Sequence, residues 1–161
     1  MAFNLKVQLE KEKQHNKFLD KFFARWFEIE LCDWSFQKIG VDRIFVDKET
    51  RMKYTVEYKS DEKASKTNNL FCETVSVDNE SIPGWVYTSI AQLLVYYIPP
   101  SKTIYVISMV SLKQKIRGMD FPTRIIPNQD KGRQWNTIGQ IIPLSEVEEW
   151  PCVVVKKISV S

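Results

Sequence analysis

Three side chains in one short stretch have the types needed for phosphate chemistry. Asp42, Glu57 and Lys59 offer two carboxylates and an ammonium within eighteen positions. Paired carboxylates suit a hard divalent cation, which they hold through oxygen while leaving sites for water and a phosphate. A lysine beside them can position or activate an attacking water, or stabilise charge on the phosphate.

A strand, a turn and a second strand position these residues. Gly40-Val41-Asp42-Arg43-Ile44-Phe45-Val46 and Met52 to Lys59 are rich in β-branched and aromatic residues, and the five residues between them are polar. In the second arm Met52, Tyr54, Val56 and Tyr58 alternate with Lys53, Thr55, Glu57 and Lys59, so Glu57 and Lys59 share a face. A turn centred on Glu49 brings Asp42 opposite Val56 or Glu57. Gly40 marks a bulge or a close backbone approach next to the site.

The pattern Gly-x-Asp, a short hairpin, then apolar-Glu-x-Lys resembles the PD-(D/E)XK nuclease superfamily in Asp42, Glu57 and Lys59, with Val41 where proline is usual. The likeness extends over residues 15 to 110. It implies an α/β fold with a restriction-endonuclease-like core, a mixed central β-sheet flanked by helices in the order α-β-β-β-α-β. It also implies a Mg²⁺-dependent deoxyribonuclease, with Mn²⁺ as substitute, acting on DNA in the cytoplasm of a bacterial or phage-infected cell. Asp42 and Glu57 would bind the metal, with the Tyr58 carbonyl as a third ligand, and Lys59 would position the water. Gln37, three positions before Gly40, resembles phage and bacterial members, as does Asn69-Leu70-Phe71-Cys72-Glu73 after Glu57-Tyr58-Lys59. Gln92 and Tyr96 resemble the accessory Gln-x-x-x-Tyr motif of some branches, which places Gln92 with the catalytic group. Two alternatives stay open: an inactive DNA-binding protein of the same fold, and an interaction protein whose hairpin charges are incidental.

The bulk properties are those of an ordinary globular chain. Its 161 residues fit one domain with a proper core. The formal charge of +3 permits nucleic-acid binding without arguing strongly for it, so any basic surface is local. Cys32, Cys72 and Cys152 are odd in number and widely spaced, which points to a reducing compartment. The charged opening Met1 to Lys6 predicts no signal peptide, and no apolar run is long enough for a membrane span. His15 is the sole histidine, which excludes chemistries needing two. Five glycines without a Gly-rich phosphate loop exclude an ordinary P-loop or Rossmann site. Cleavage of both strands of a duplex would need two active sites, which a homodimer could supply.

Taken in order, residues 7 to 27 read as a helix with Phe18, Leu19, Phe22, Phe23, Trp26 and Phe27 on its apolar face. By the same resemblance, Glu10, Glu12 or Asp20 could join the metal site, with Asp20 beside the apolar face. Residues 60 to 69 read as a polar loop at the mouth of the site, where Lys63 and Lys66 could meet phosphates. Leu70 to Val77 reads as a strand in which Glu73 is a second-tier site candidate. Val86 to Ile98 reads as a helix, Thr103 to Met109 as a buried strand and Ser111 to Ile116 as a short helix. Residues 118 to 143 mix Arg124, Lys131 and Arg133 with Trp135 and amide side chains, a blend suited to phosphate contacts and base stacking. Ser145 and Glu148 have the spacing of a capping box, and Cys152 to Val160 could add an edge strand.

Overall fold

The computed structural model describes residues 5–151 and 153–158. Two sheets form its body. The chain runs through α1 (Leu5–Phe23), β1 (Phe27–Leu31), α2 (Trp34–Gln37), β2 (Arg43–Asp47) and β3 (Lys53–Ser60). It continues through α3 (Ala64–Thr67), β4 (Asn69–Val77), β5 (Ile82–Pro83), α4 (Trp85–Thr88), β6 (Leu93–Ile98) and β7 (Thr103–Ser108). It ends with α5 (Met109–Gly118), β8 (Thr123–Asp130), β9 (Arg133–Pro143), α6 (Leu144–Val147) and β10 (Val153–Lys157).

The central sheet has the order β1-β2-β3-β6-β7-β10. It is mixed: β3 and β6 are parallel, and the other pairs are antiparallel. The protein is therefore α/β, with a mixed central sheet and flanking helices. A smaller antiparallel sheet has the order β5-β4-β9-β8.

Alternation across the central strands builds a core on each face. On one face, Phe45, Val56, Tyr58, Val95, Tyr97 and Ile104 bury the apolar stripe of α1 through Leu19 and Phe23. Phe18 stacks on Tyr97 with centroids 5.0 Å apart, and Phe23 meets Phe45 at the same separation. On the other face, Leu94, Tyr96, Ile98, Tyr105 and Ile107 pack against Leu70, Cys72 and Ile142 of the small sheet and Leu112 and Ile116 of α5. Each fully buried side chain of this kind contributes about 1.5–3 kcal/mol relative to exposure.

Several expected elements differ. Val86 to Ile98 is not one helix: α4 stops at Thr88, and Leu93–Ile98 is a central strand. Its side chains are buried alternately in both cores, so the sequence is apolar throughout. The parallel partner of β3 is this strand, whereas β7 is antiparallel to β6. The expected strand Leu70 to Val77 exists as β4 but belongs to the small sheet. Residues 118 to 143 complete that sheet as the β8–β9 hairpin. The first helix ends at Phe23 and Phe27 opens β1, whose Phe27 and Ile29 face the core while Glu28 and Glu30 face outward. The helix expected from Ser111 begins earlier, at Met109, and Ser108 caps it by accepting the Ser111 amide at 3.4 Å. Ser145 lies inside α6, whose N-cap is Pro143, so no capping box forms. Glu148 instead accepts the Tyr105 hydroxyl at 2.8 Å. β10 supplies the terminal edge strand over Val153–Lys157, and the expected ends at Cys152 and Val160 lie outside the described residues.

Candidate functional site

The β2–β3 hairpin closes through Asp47, whose carboxylate accepts the amides of Glu49 at 2.8 Å and Thr50 at 2.9 Å. Arg51 then takes a left-handed φ of 63°. The resulting register sets Arg43 opposite Val56, which carries Asp42 to the level of Glu57. Asp42 N–H donates to Val56 carbonyl at 2.9 Å, and Asp42 Oδ2 accepts the Tyr58 amide at 2.8 Å.

Glu57 is only 4 % exposed. Its Oε1 lies 3.3 Å from Lys59 Nζ, while Oε2 is buried with no hydrogen-bond partner among the described residues. Lys59 is more open, with 38 % of its side chain exposed. Burial pushes the Glu57 carboxyl above its ordinary range. Lys59 and the Ser89 hydroxyl draw it back, and the Asp42 charge raises it further. Burial likewise raises Asp42, against the Tyr58 amide, Lys59 and Arg43. Two carboxylates are thus held where ionisation is disfavoured, a condition that a bound cation relieves.

Gly40 meets the expectation of a close approach. Its φ is +82°, and a Cβ there would collide with Ser89 Oγ. Ser89 is fully buried and donates to the Gly40 carbonyl at 3.1 Å, tying the segment before Asp42 to the segment before β6. A buried serine has no local sequence signal, so it was not legible from spacing. Trp85 is a second residue that sequence reasoning missed: Lys59 Nζ sits 5.8 Å from its ring centroid.

Two clefts meet at Lys59. One, of about 450 Å³, lies against α1 and is lined by Lys11, Glu12, His15 and the Ser60–Lys63 segment. The other, of about 460 Å³, opens toward the small sheet and is lined by Lys59, Lys63, Phe71, Glu73, Trp85, Tyr96 and Arg124 among others. Lys63, Glu73 and Arg124 are therefore brought to Lys59 from three separate segments, while Asp42 and Glu57 line neither cleft.

The remaining candidates have other places. Asp20 takes a bidentate ion pair with Arg43, at 2.9 and 3.2 Å, and accepts the Tyr58 hydroxyl at 2.9 Å. Tyr58 alternates with Glu57 and Lys59, so Asp20 stands on the opposite face and does not join the carboxylates. Glu10 is exposed and pairs with Lys13 at 3.5 Å. Gln92 is pinned outside the clefts, its Oε1 accepting the Thr55 amide at 3.0 Å. Because Leu93–Ile98 is a strand, Gln92 and Tyr96 do not share a helical face. The Tyr96 hydroxyl instead donates to Asp61, which also accepts the amides of Lys63 and Ala64 and so fastens the start of α3. Gln37 Nε2 donates to the Cys32 carbonyl at 2.8 Å. Lys66 is exposed on α3 and lines neither cleft. Lys131 lies in the turn beyond β8, where it takes a left-handed φ of 46°, and Arg133 opens β9 and pairs with Glu80. Six residues of ladder place this tip roughly 20 Å from Arg124.

Among the described residues, no group of three or more His, Cys, Asp or Glu side chains is arranged to hold a metal. The residues that fit a cation are two carboxylates, one with an orphaned buried oxygen. This donor set suits a hard ion that keeps several waters rather than a fully caged one. No helix among the described residues is long and apolar enough to cross a membrane. Comparison with protein-family models, curated proteins and solved structures gives no match.

Proposed function

We propose that the protein is a metal-dependent phosphodiester hydrolase acting on DNA, with a restriction-endonuclease-like core formed by α1, the β1–β2–β3 meander and the parallel strand β6. The observation that carries this reading is Glu57. A carboxylate oxygen buried with no hydrogen-bond partner among the described residues is costly, and here it lies at the level of Asp42 beside Lys59, the member of the trio that reaches the two clefts.

Asp42 and Glu57 would hold Mg²⁺ or Mn²⁺, with the Tyr58 carbonyl completing the protein's share. The chemistry that such a cation supplies is polarisation of a phosphoryl oxygen and neutralisation of charge developing on it. Lys59 holds the attacking water in line with phosphorus. The water oxygen bonds to phosphorus as the bond to the 3′ oxygen breaks. Solvent takes the proton lost by the water and returns one to the leaving oxygen. Lys63 and Arg124 bind flanking phosphates, where cations add affinity rather than sequence choice.

One observation favours a second reading, an inactive DNA-binding protein of the same core: among the described residues no third acidic side chain joins Asp42 and Glu57, and Asp20 is engaged by Arg43 and Tyr58. The test is cleavage of supercoiled plasmid and of circular single-stranded DNA with Mg²⁺, Mn²⁺ or EDTA, with Glu57→Ala and Lys59→Ala in parallel. Metal-dependent cutting, absent in both variants, supports the hydrolase. DNA binding without cutting supports the binder. Cutting retained by Lys59→Ala refutes the mechanism.

A further inference from the structure

The cleft between Lys59 and the small sheet combines cationic and apolar side chains, with Glu73 and the Tyr96-bound Asp61 also in its lining. Lys59, Lys63 and Arg124 supply cations, and neither Lys63 nor Arg124 takes an ion pair among the described residues. Phe71, Trp85 and Ile126 supply apolar surface beside them, Ile126 standing two residues from Arg124 on β8. Phe71 pairs with Ile141, and its ring reaches along β9 to Gly139, the partner of Glu73: a Cβ there would stand 2.5 Å from Phe71 Cε2, so the ring lies over bare backbone. An anion joined to a flat apolar body matches this pairing, and a nucleotide is such a ligand. The cleft holds about 460 Å³, within the roughly 300–1,000 Å³ typical of sites that enclose a small ligand. A double helix is far too wide to enter a space of that size.

We infer that this cleft takes one unpaired nucleotide, with its base on Phe71 and Trp85 and its phosphate among Lys59, Lys63 and Arg124. Resting on the hydrolase reading, the inference names the substrate class: single-stranded or locally unpaired DNA, threaded past Lys59. Aromatic rings accept any base face, so binding is tolerant of sequence. An unpaired strand also needs one site rather than two, so a single chain suffices.

The probes are 5′-dAMP and deoxyribose 5-phosphate, titrated calorimetrically into the full chain in EDTA, with a single-stranded oligonucleotide and its duplex compared in the same buffer. Base stacking predicts that dAMP binds about tenfold or more tightly than the base-free phosphate, and the single strand correspondingly more tightly than the duplex. Trp85→Ala removes the gain from the base, and Trp85→Phe restores most of it. The ligand comparison needs only the wild-type chain, so a variant that fails to fold leaves the test intact. Equal binding of dAMP and deoxyribose phosphate, or of duplex and single strand, overturns the inference. Nucleotide binding with no cutting of any DNA under Mg²⁺ or Mn²⁺ supports the cleft and refutes the hydrolase. Equal cutting of duplex and single strand with no gain from the base does the reverse.

Discussion

The Asp42 carboxylate accepts the backbone N–H of Tyr58 at 2.8 Å, so one acid of the site is fastened to the peptide linking the other acid to its neighbour. The spacing between Asp42 and Glu57 is therefore set by the backbone of β3 rather than by free side-chain rotation. A site built this way is preorganised for a ligand and uncomfortable without one.

The discomfort has a pH signature. Glu57 and Asp42 both have raised folded-state pKa values, with burial as the main cause. Their protonated forms suit the fold, so each contribution to stability is full below the ordinary value, 3.8 for Asp42 and 4.5 for Glu57, and is lost as pH rises through the raised one. In EDTA, Glu57→Gln should be more stable than wild type at pH 7, by about 1–3 kcal/mol, the scale of an unsatisfied buried polar group. Urea melts at pH 4 and pH 7 check it. An advantage that grows toward acid would contradict the sign.

Metal should reverse that order. A cation bound by the folded chain alone adds about 2.7 kcal/mol at one hundred times its dissociation constant. Melting temperature should rise with Mg²⁺ or Mn²⁺ in wild type and stay flat in Asp42→Asn and Glu57→Gln. A rise of equal size in both variants would place the ion elsewhere.

Asp20 should behave as a structural residue. It joins Arg43 and the Tyr58 hydroxyl, with side chains only 25 % and 12 % exposed for Asp20 and Arg43. Charge-assisted hydrogen bonds of this type are worth about 1.5–3 kcal/mol. Asp20→Asn should lose stability on that scale while its dependence on Mg²⁺ concentration is unchanged. A shifted metal requirement would instead bring Asp20 into the site.

Tyr96 should act through the loop it holds. Its hydroxyl reaches Asp61, whose carboxylate also takes the Lys63 amide at 2.9 Å. Tyr96→Phe should cost about 1 kcal/mol, as for a typical hydrogen bond. It should also speed amide exchange at Lys63 and Ala64 relative to the β6 core. Unchanged exchange there would show that Asp61 holds the loop without the tyrosine.

The hairpin was legible because period-two alternation from Met52 to Lys59 is unmistakable and a polar turn separates its arms. The strand Leu93–Ile98 was not, because burial on both faces erases alternation. Ile90, Leu93, Leu94 and Tyr97 then match helical spacing by coincidence. Run length was the missing arbiter: six residues between Gln92 and Pro99 suit a strand better than a helix. β1 was hidden for a related reason, since Phe27 extends the aromatic spacing of the helix before it. In residues 118 to 143 amide side chains and Pro127 obscured a sheet whose ladder is nonetheless continuous from Thr123 to Asp130. Chemistry-bearing residues close in sequence were thus found together, whereas Trp85, Ser89 and the gathering of Glu73 with Arg124 depend on pairings between distant strands.

The small sheet draws on segments from both sides of β6 and β7 in the chain: β4 precedes them, β9 follows them, and Asn69 pairs with Pro143. Such long-range pairing delays assembly, because loop closure must be met before the contacts form. During synthesis the carboxylate–lysine trio is complete well before its cation-bearing wall emerges. A chain truncated after Ser108 would retain Asp42, Glu57 and Lys59 on an intact hairpin yet leave β4 as a bare edge, prone to pairing with other chains.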